Sequence, residues 1–110
     1  MNVKLTARHF RPHADLKAHA QETVKKLGKY YDGIVGATVI LSFERATNSV
    51  KRAEINLQVY GGILNASAET EDFDKSIDLA SEKVMLQLQK YKNKLRAKDK
   101  GKVRTIREKV

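Results

Sequence analysis

The stretch Ala53-Glu54-Ile55-Asn56-Leu57-Gln58-Val59-Tyr60-Gly61-Gly62-Ile63-Leu64-Asn65-Ala66-Ser67-Ala68 decides the fold. Ala53, Ile55, Leu57 and Val59 alternate with polar residues, and the same alternation resumes at Leu64, Ala66 and Ala68, so both halves read as half-buried strands. Two glycines between such runs signal a two-residue hairpin. With Gly61-Gly62 as the turn, Tyr60 opposes Ile63, Val59 opposes Leu64, Leu57 opposes Ala66 and Ile55 opposes Ala68. Gln58 and Asn65, with Asn56 and Ser67, then share the opposite, wet face.

Upstream, Val39, Leu41 and Phe43 share one face of a further strand, and the polar run Ala46-Thr47-Asn48-Ser49 turns the chain into the hairpin. Earlier still, Val3, Leu5 and Ala7 alternate with Lys4, Thr6 and Arg8 as a first strand. Pro12 suits the first turn of a helix, where its missing N–H costs nothing. Leu16, Ala20, Thr23 and Leu27 recur at helical spacing to about Lys29, and Asp32-Gly33 with Gly36 supplies the turn back to the sheet. Downstream, Thr70 or Asp72 can cap a last helix, whose first turn is acidic as the macrodipole favours. Its stripe of Phe73, Ile77, Ala80, Val84, Leu88, Tyr91 and Leu95 stays within about 40° of one line at ~100° per residue. The order predicts an α+β fold, β-α-β-β-β-α, with a four-stranded mixed sheet and two helices packed on one face, a topology like that of double-stranded RNA-binding domains. A crossover through the first helix makes the first two strands parallel, and hairpins add the others antiparallel.

At 110 residues the chain suits one domain, and 41% hydrophobic content suffices for one modest core. With no cysteine there is neither a disulfide framework nor a thiolate zinc site. No apolar run approaches the roughly 18 residues of a membrane span, and the N-terminus has no signal-peptide core. A cytoplasmic protein is expected. The three histidines, His9, His13 and His19, fall on separate elements without metal-pair spacing, and His19 beside the core stripe reads as a structural residue. Walker and dinucleotide loops are absent, as is a nucleophile elbow. The expectation is a protein that is not an enzyme and that has no cofactor, metal or small-molecule substrate.

The charge of +9 is unevenly placed: residues 75–110 hold twelve Lys or Arg against four Asp or Glu, a net of +8. Such asymmetry points to a polyanion, and without an amphipathic membrane helix the polyanion is nucleic acid. On the last helix Lys83, Gln87, Lys90 and Lys94 are spaced four, three and four, forming a row along roughly 16 Å at 1.5 Å per residue. Lys92 and Arg96 take the opposite flank, and on the first helix Lys26 and Lys29 lie to one side of the core stripe. If the helices lie side by side, the rows can border a common groove. Flexible point charges of this kind suit phosphates rather than base edges. Tyr30, Tyr31 and Tyr60 are candidates for stacking but lack the paired-aromatic signature of strand-based RNA readers. Leu79 and Leu86 project away from the core and offer a small protein contact. Residues 98–110 lack periodicity and are expected to form a basic, flexible tail after a domain of residues 1–97.

Arg8-His9, Lys26-Leu27-Gly28-Lys29-Tyr30-Tyr31-Asp32 and above all Ile77-Asp78-Leu79-Ala80-Ser81-Glu82-Lys83, running on to Gln87-Leu88-Gln89-Lys90-Tyr91-Lys92-Asn93-Lys94, resemble the ribosome hibernation-promoting factor family. That family includes the ribosome-associated inhibitor of translation. Ala7, where glycine is common, and Phe73-Asp74, where methionine or leucine precedes tyrosine, depart from its pattern. The resemblance implies a domain in the small-subunit channel between head and body, overlapping the transfer RNA and messenger RNA sites and holding the ribosome inactive in stress or stationary phase. It makes Arg8, Lys26, Lys29, Lys83, Gln87, Lys90, Lys92, Lys94 and Arg96 the candidate contacts to ribosomal RNA. Separately, the protein is expected to be monomeric when free. Long members add a C-terminal dimerisation domain, for which this chain is too short. The alternatives are a general double-stranded RNA binder and a protein-interaction module using Leu79 and Leu86.

Overall fold

The computed structural model describes residues 2–8, 10–44 and 50–108, with side chains placed over 2–8, 10–43 and 50–94. His9, the expected turn at residues 46–49, and the side chains of Leu95 and Arg96 lie outside the described residues. The elements run β1 (Asn2–Arg8), α1 (Ala14–Tyr30), β2 (Ile34–Glu44), β3 (Val50–Val59), β4 (Gly62–Thr70) and α2 (Phe73–Glu108). The sheet has the order β1-β2-β3-β4, with β1 parallel to β2 and the remaining pairs antiparallel, as the sequence predicts. The helix of α2 is assigned as far as Glu108, past residue 97, where the sequence reading begins a tail.

Alternation puts Val39 and Leu41 of β2, and Ala53, Ile55, Leu57 and Val59 of β3, on one dry face. Leu16, Ala20, Val24 and Leu27 of α1 and Ile77, Ala80, Val84 and Leu88 of α2 pack onto it in one continuous core. Both helices thus cover one face, and β1 and β4 are left as the two edge strands.

The hairpin differs from the expected register by two residues. Val59 pairs with Gly62, Leu57 with Leu64, Ile55 with Ala66 and Ala53 with Ala68, so Tyr60-Gly61 forms the turn. Gly61 has φ +89°, a conformation that L side chains resist, whereas Gly62 needs no such freedom and joins the strand. One positive-φ position is enough to turn the chain, and the first glycine takes it. Because a shift of two keeps each side chain on its side of the pleat, the dry and wet faces survive the change. On the wet face Asn56 now opposes Asn65, and Gln58 opposes Ile63.

Two smaller expectations also change. Pro12 precedes the N-cap residue His13 instead of entering the first turn of α1. Gly36 lies inside β2 at a register irregularity next to Ile34, leaving Asp32-Gly33 to make the turn. At the start of α2, Asp72 is the cap: its carboxylate accepts the N–H of Asp74 at 3.1 Å, and its carbonyl accepts that of Ser76 at 3.0 Å. Thr70 supports the cap by accepting the N–H of Asp72. Ser76, fully buried, donates its hydroxyl to the Lys51 carbonyl at 2.6 Å, so its burial leaves no orphaned group.

Candidate nucleic-acid interface

The row on α2 is positioned by the core stripe. With Val84 and Leu88 buried against the sheet, Lys83, Gln87, Lys90 and Lys94 fall on the flank that overlooks β4. Contacts fix that assignment. Gln87 donates from Nε2 to the carbonyl of Asn65 at 2.5 Å and accepts the Asn65 N–H on Oε1 at 3.3 Å, and Lys83 donates from Nζ to the carbonyl of Ser67 at 3.1 Å.

These bonds have a structural purpose. β4 is an edge strand, and its outward backbone groups would otherwise offer a template for another chain. The Gln87 amide pairs with both groups of Asn65 as a neighbouring peptide unit would. Lys83 occupies the next outward carbonyl. The Asn65 side chain, on the wet face, donates to Glu54 Oε2 at 2.7 Å and also bonds Asn56, so the strand is fixed from two directions.

Lys90 and Lys94 are exposed and have no hydrogen-bond or ion-pair partner among the described residues. They are four residues apart, one turn of helix, on a segment that Leu88 and Gln87 hold against the sheet. Two free ammonium groups on a rigid base can therefore neutralise neighbouring phosphates without first breaking an internal bond. Lys83 spends one of its three N–H donors on Ser67 and keeps two for a phosphate.

The first-helix candidates lie elsewhere. The seam between α1 and α2 is lined by His19, Glu22, Thr23 and Lys26 on one side and Asp78, Ser81 and Glu82 on the other. His19 Nε2 lies 2.9 Å from Asp78 Oδ1 across it. Lys26 therefore sits among carboxylates, on the opposite flank of α2 from Lys83 and Lys90. Further along the seam Lys92 donates to the Tyr30 carbonyl at 3.4 Å, with its ammonium 4.5 Å from the Tyr30 ring centroid. Lys29 is exposed in the last turn of α1. Arg8 is exposed at the end of β1, the edge strand farthest from β4. The two helical rows thus do not border one groove. Packing gave the α1-facing flank of α2 to Asp78, Ser81, Glu82 and Lys92, and the β4-facing flank to the row.

Leu79 and Leu86 are 42% and 59% exposed, pointing outward as the helical wheel predicts. Among the described residues, no three or more His, Asp or Glu converge to hold a metal ion. No helix there is long and apolar enough to cross a membrane.

Residues 3–96 match the family described as Sigma 54 modulation protein / S30EA ribosomal protein. The chain belongs to this family. Within it, the ribosome hibernation promoting factor of Pseudomonas putida KT2440 is 31% identical over 94 residues, covering 86% of this chain and 89% of that protein. The ribosome hibernation promoting factor of Escherichia coli K12 is 31% identical over 96 residues, covering 87% and 98%. A solved ribosomal subunit interface protein from Coxiella burnetii superposes with a TM-score of 0.77 at 25% identity, covering 84% of this chain and 99% of that one. The S30EA match spans both helices up to residue 96 and so takes in the whole α2 row.

Proposed function

We propose that this S30EA-family protein is a ribosome hibernation factor that binds the small ribosomal subunit in the channel between head and body. There it blocks the transfer RNA and messenger RNA sites by occlusion and holds translation inactive in stress or stationary phase. No bond is made or broken, and the protein acts in the cytoplasm as a ribosome-associated monomer. The observation that carries the reading is the β4-facing flank of α2, where Lys90 and Lys94, without a partner among the described residues, stand in line with Lys83 on a helix locked to the sheet. Family membership and the names of the relatives support the choice of ribosome over other polyanions.

Within this reading Lys90 and Lys94 make the primary phosphate contacts, with Lys83 adding the donors that Ser67 leaves over. Gln87 acts mainly by holding the flank in place. Lys26, Lys29, Lys92, Arg96 and Arg8 supply contacts from other faces, as befits a domain enclosed on several sides by a channel. Sedimentation tests the proposal. The protein is expected to co-migrate with small subunits at low salt, and Lys90→Glu with Lys94→Glu should return it to the top of the gradient. Equal binding to isolated RNA duplex would favour the general double-stranded RNA binder instead.

A further inference from the structure

All four tyrosines of the chain gather at the hairpin end of the domain, although they lie far apart in sequence. The Tyr31 and Tyr91 rings meet edge to face with centroids 5.8 Å apart, Tyr30 carries the Lys92 ammonium over its ring, and the Tyr91 hydroxyl donates to the Tyr60 carbonyl at 2.6 Å. Tyr31 and Tyr91 pack against the core, and Tyr30, 36% exposed, is covered on one face by Lys92. Tyr60 is the exception: its backbone is fixed by Tyr91 and by the tight turn at Gly61, yet the residue is 88% exposed.

The surroundings narrow what such a ring can meet. Around the positions where β-carbons would stand at Gly61 and Gly62, nothing lies within 4 Å, so the approach to the turn is open. The exposed apolar companions at the same end of the sheet are Val35, Ile63 and, partly covered by Lys92, Tyr30. Four residues fall far short of the ~800 Å² per partner of a stable protein interface. Lys90 and Lys94 lie on either side of Tyr91, whose hydroxyl reaches the Tyr60 carbonyl, while Lys92 is turned to Tyr30. A solvent-open aromatic ring on a fixed backbone, next to a helix segment that carries ammonium groups, matches the paired requirements of an unpaired nucleotide, with a base to stack and a phosphate to neutralise.

We propose that the Tyr60 ring stacks on one unpaired base of the RNA whose phosphates the α2 row engages. This rests on the ribosome-binding reading above and adds to it a specific, non-electrostatic contact. The backbone of Tyr60 is pre-ordered, so little conformational freedom is lost when the base docks.

The test compares Tyr60→Ala, Tyr60→Phe and wild type in equilibrium binding to purified small subunits across a salt series. Among the described residues Tyr60 is hydrogen-bonded through its backbone carbonyl alone and is exposed, so both variants are expected to keep the wild-type fold. Tyr60→Ala should weaken binding about 5- to 150-fold, the range for loss of one base stack, with the salt slope unchanged, and Tyr60→Phe should restore it. A benzophenone-bearing phenylalanine at position 60 should crosslink to ribosomal RNA. Unchanged affinity in Tyr60→Ala overturns the inference, as does failure of Tyr60→Phe to rescue or a crosslink to ribosomal protein only. Wild-type protein that binds no subunit would remove both this inference and the reading beneath it, whereas Tyr60→Ala matching wild type in tight binding removes this one alone.

Discussion

Replacing Lys90 and Lys94 together by glutamine removes two charges without touching the scaffold. Both side chains are exposed and partnerless among the described residues, so stability in urea should stay within about 0.5 kcal/mol of wild type. If each lysine neutralises one phosphate, each contributes roughly 0.7 to 0.9 to the slope of log affinity against log salt. The double variant should therefore lose about 1.4 to 1.8 from that slope. Referred to 1 M salt, where counterion release no longer drives association, the same increment predicts weakening of about 25- to 60-fold at 0.1 M. Fluorescence anisotropy of labelled protein on small subunits, from 0.1 to 0.5 M salt at fixed magnesium, reads both quantities. A slope equal to wild type would refute the reasoning even if affinity fell, because the lost contacts would then not be to phosphate.

Other predictions probe the parts that hold the row in place. Gln87→Ala should cost about 1 kcal/mol and speed amide hydrogen exchange at Asn65, whose N–H loses its side-chain acceptor. Gly61→Ala should destabilise by about 1 to 2 kcal/mol because of its φ of +89°, while Gly62→Ala stays near neutral; equal urea midpoints would contradict the observed register. Leu88→Ala, at a fully buried position, should cost about 2 to 5 kcal/mol in thermal or denaturant unfolding. Leu79→Glu should leave subunit binding unchanged, and its loss would revive the protein-interaction alternative.

The sheet, its dry face and both helices were legible because alternation and the 3.6-residue period follow directly from which side chains must be buried. The hairpin register was not, since Gly61-Gly62 offers two adjacent turns that bury the same residues, and only the backbone conformation at Gly61 separates them. Spacing alone revealed that Lys83, Gln87, Lys90 and Lys94 form a line. It did not reveal which neighbour that line faces, because helix-to-helix packing decides whether a flank meets α1 or β4. The part played by Gln87 needed the sheet order as well, for its amide matters only once β4 is an edge with outward backbone groups. A polar amide amid lysines, on the helix that follows the last strand, is the one signal that hinted at it.

The most direct measurement is a cryo-electron microscopy map of the protein on the small subunit. The domain should lie between head and body with the ammonium groups of Lys90 and Lys94 within hydrogen-bond reach of ribosomal RNA phosphates. Density placing that flank of α2 toward solvent, or the domain outside the channel, would contradict the account.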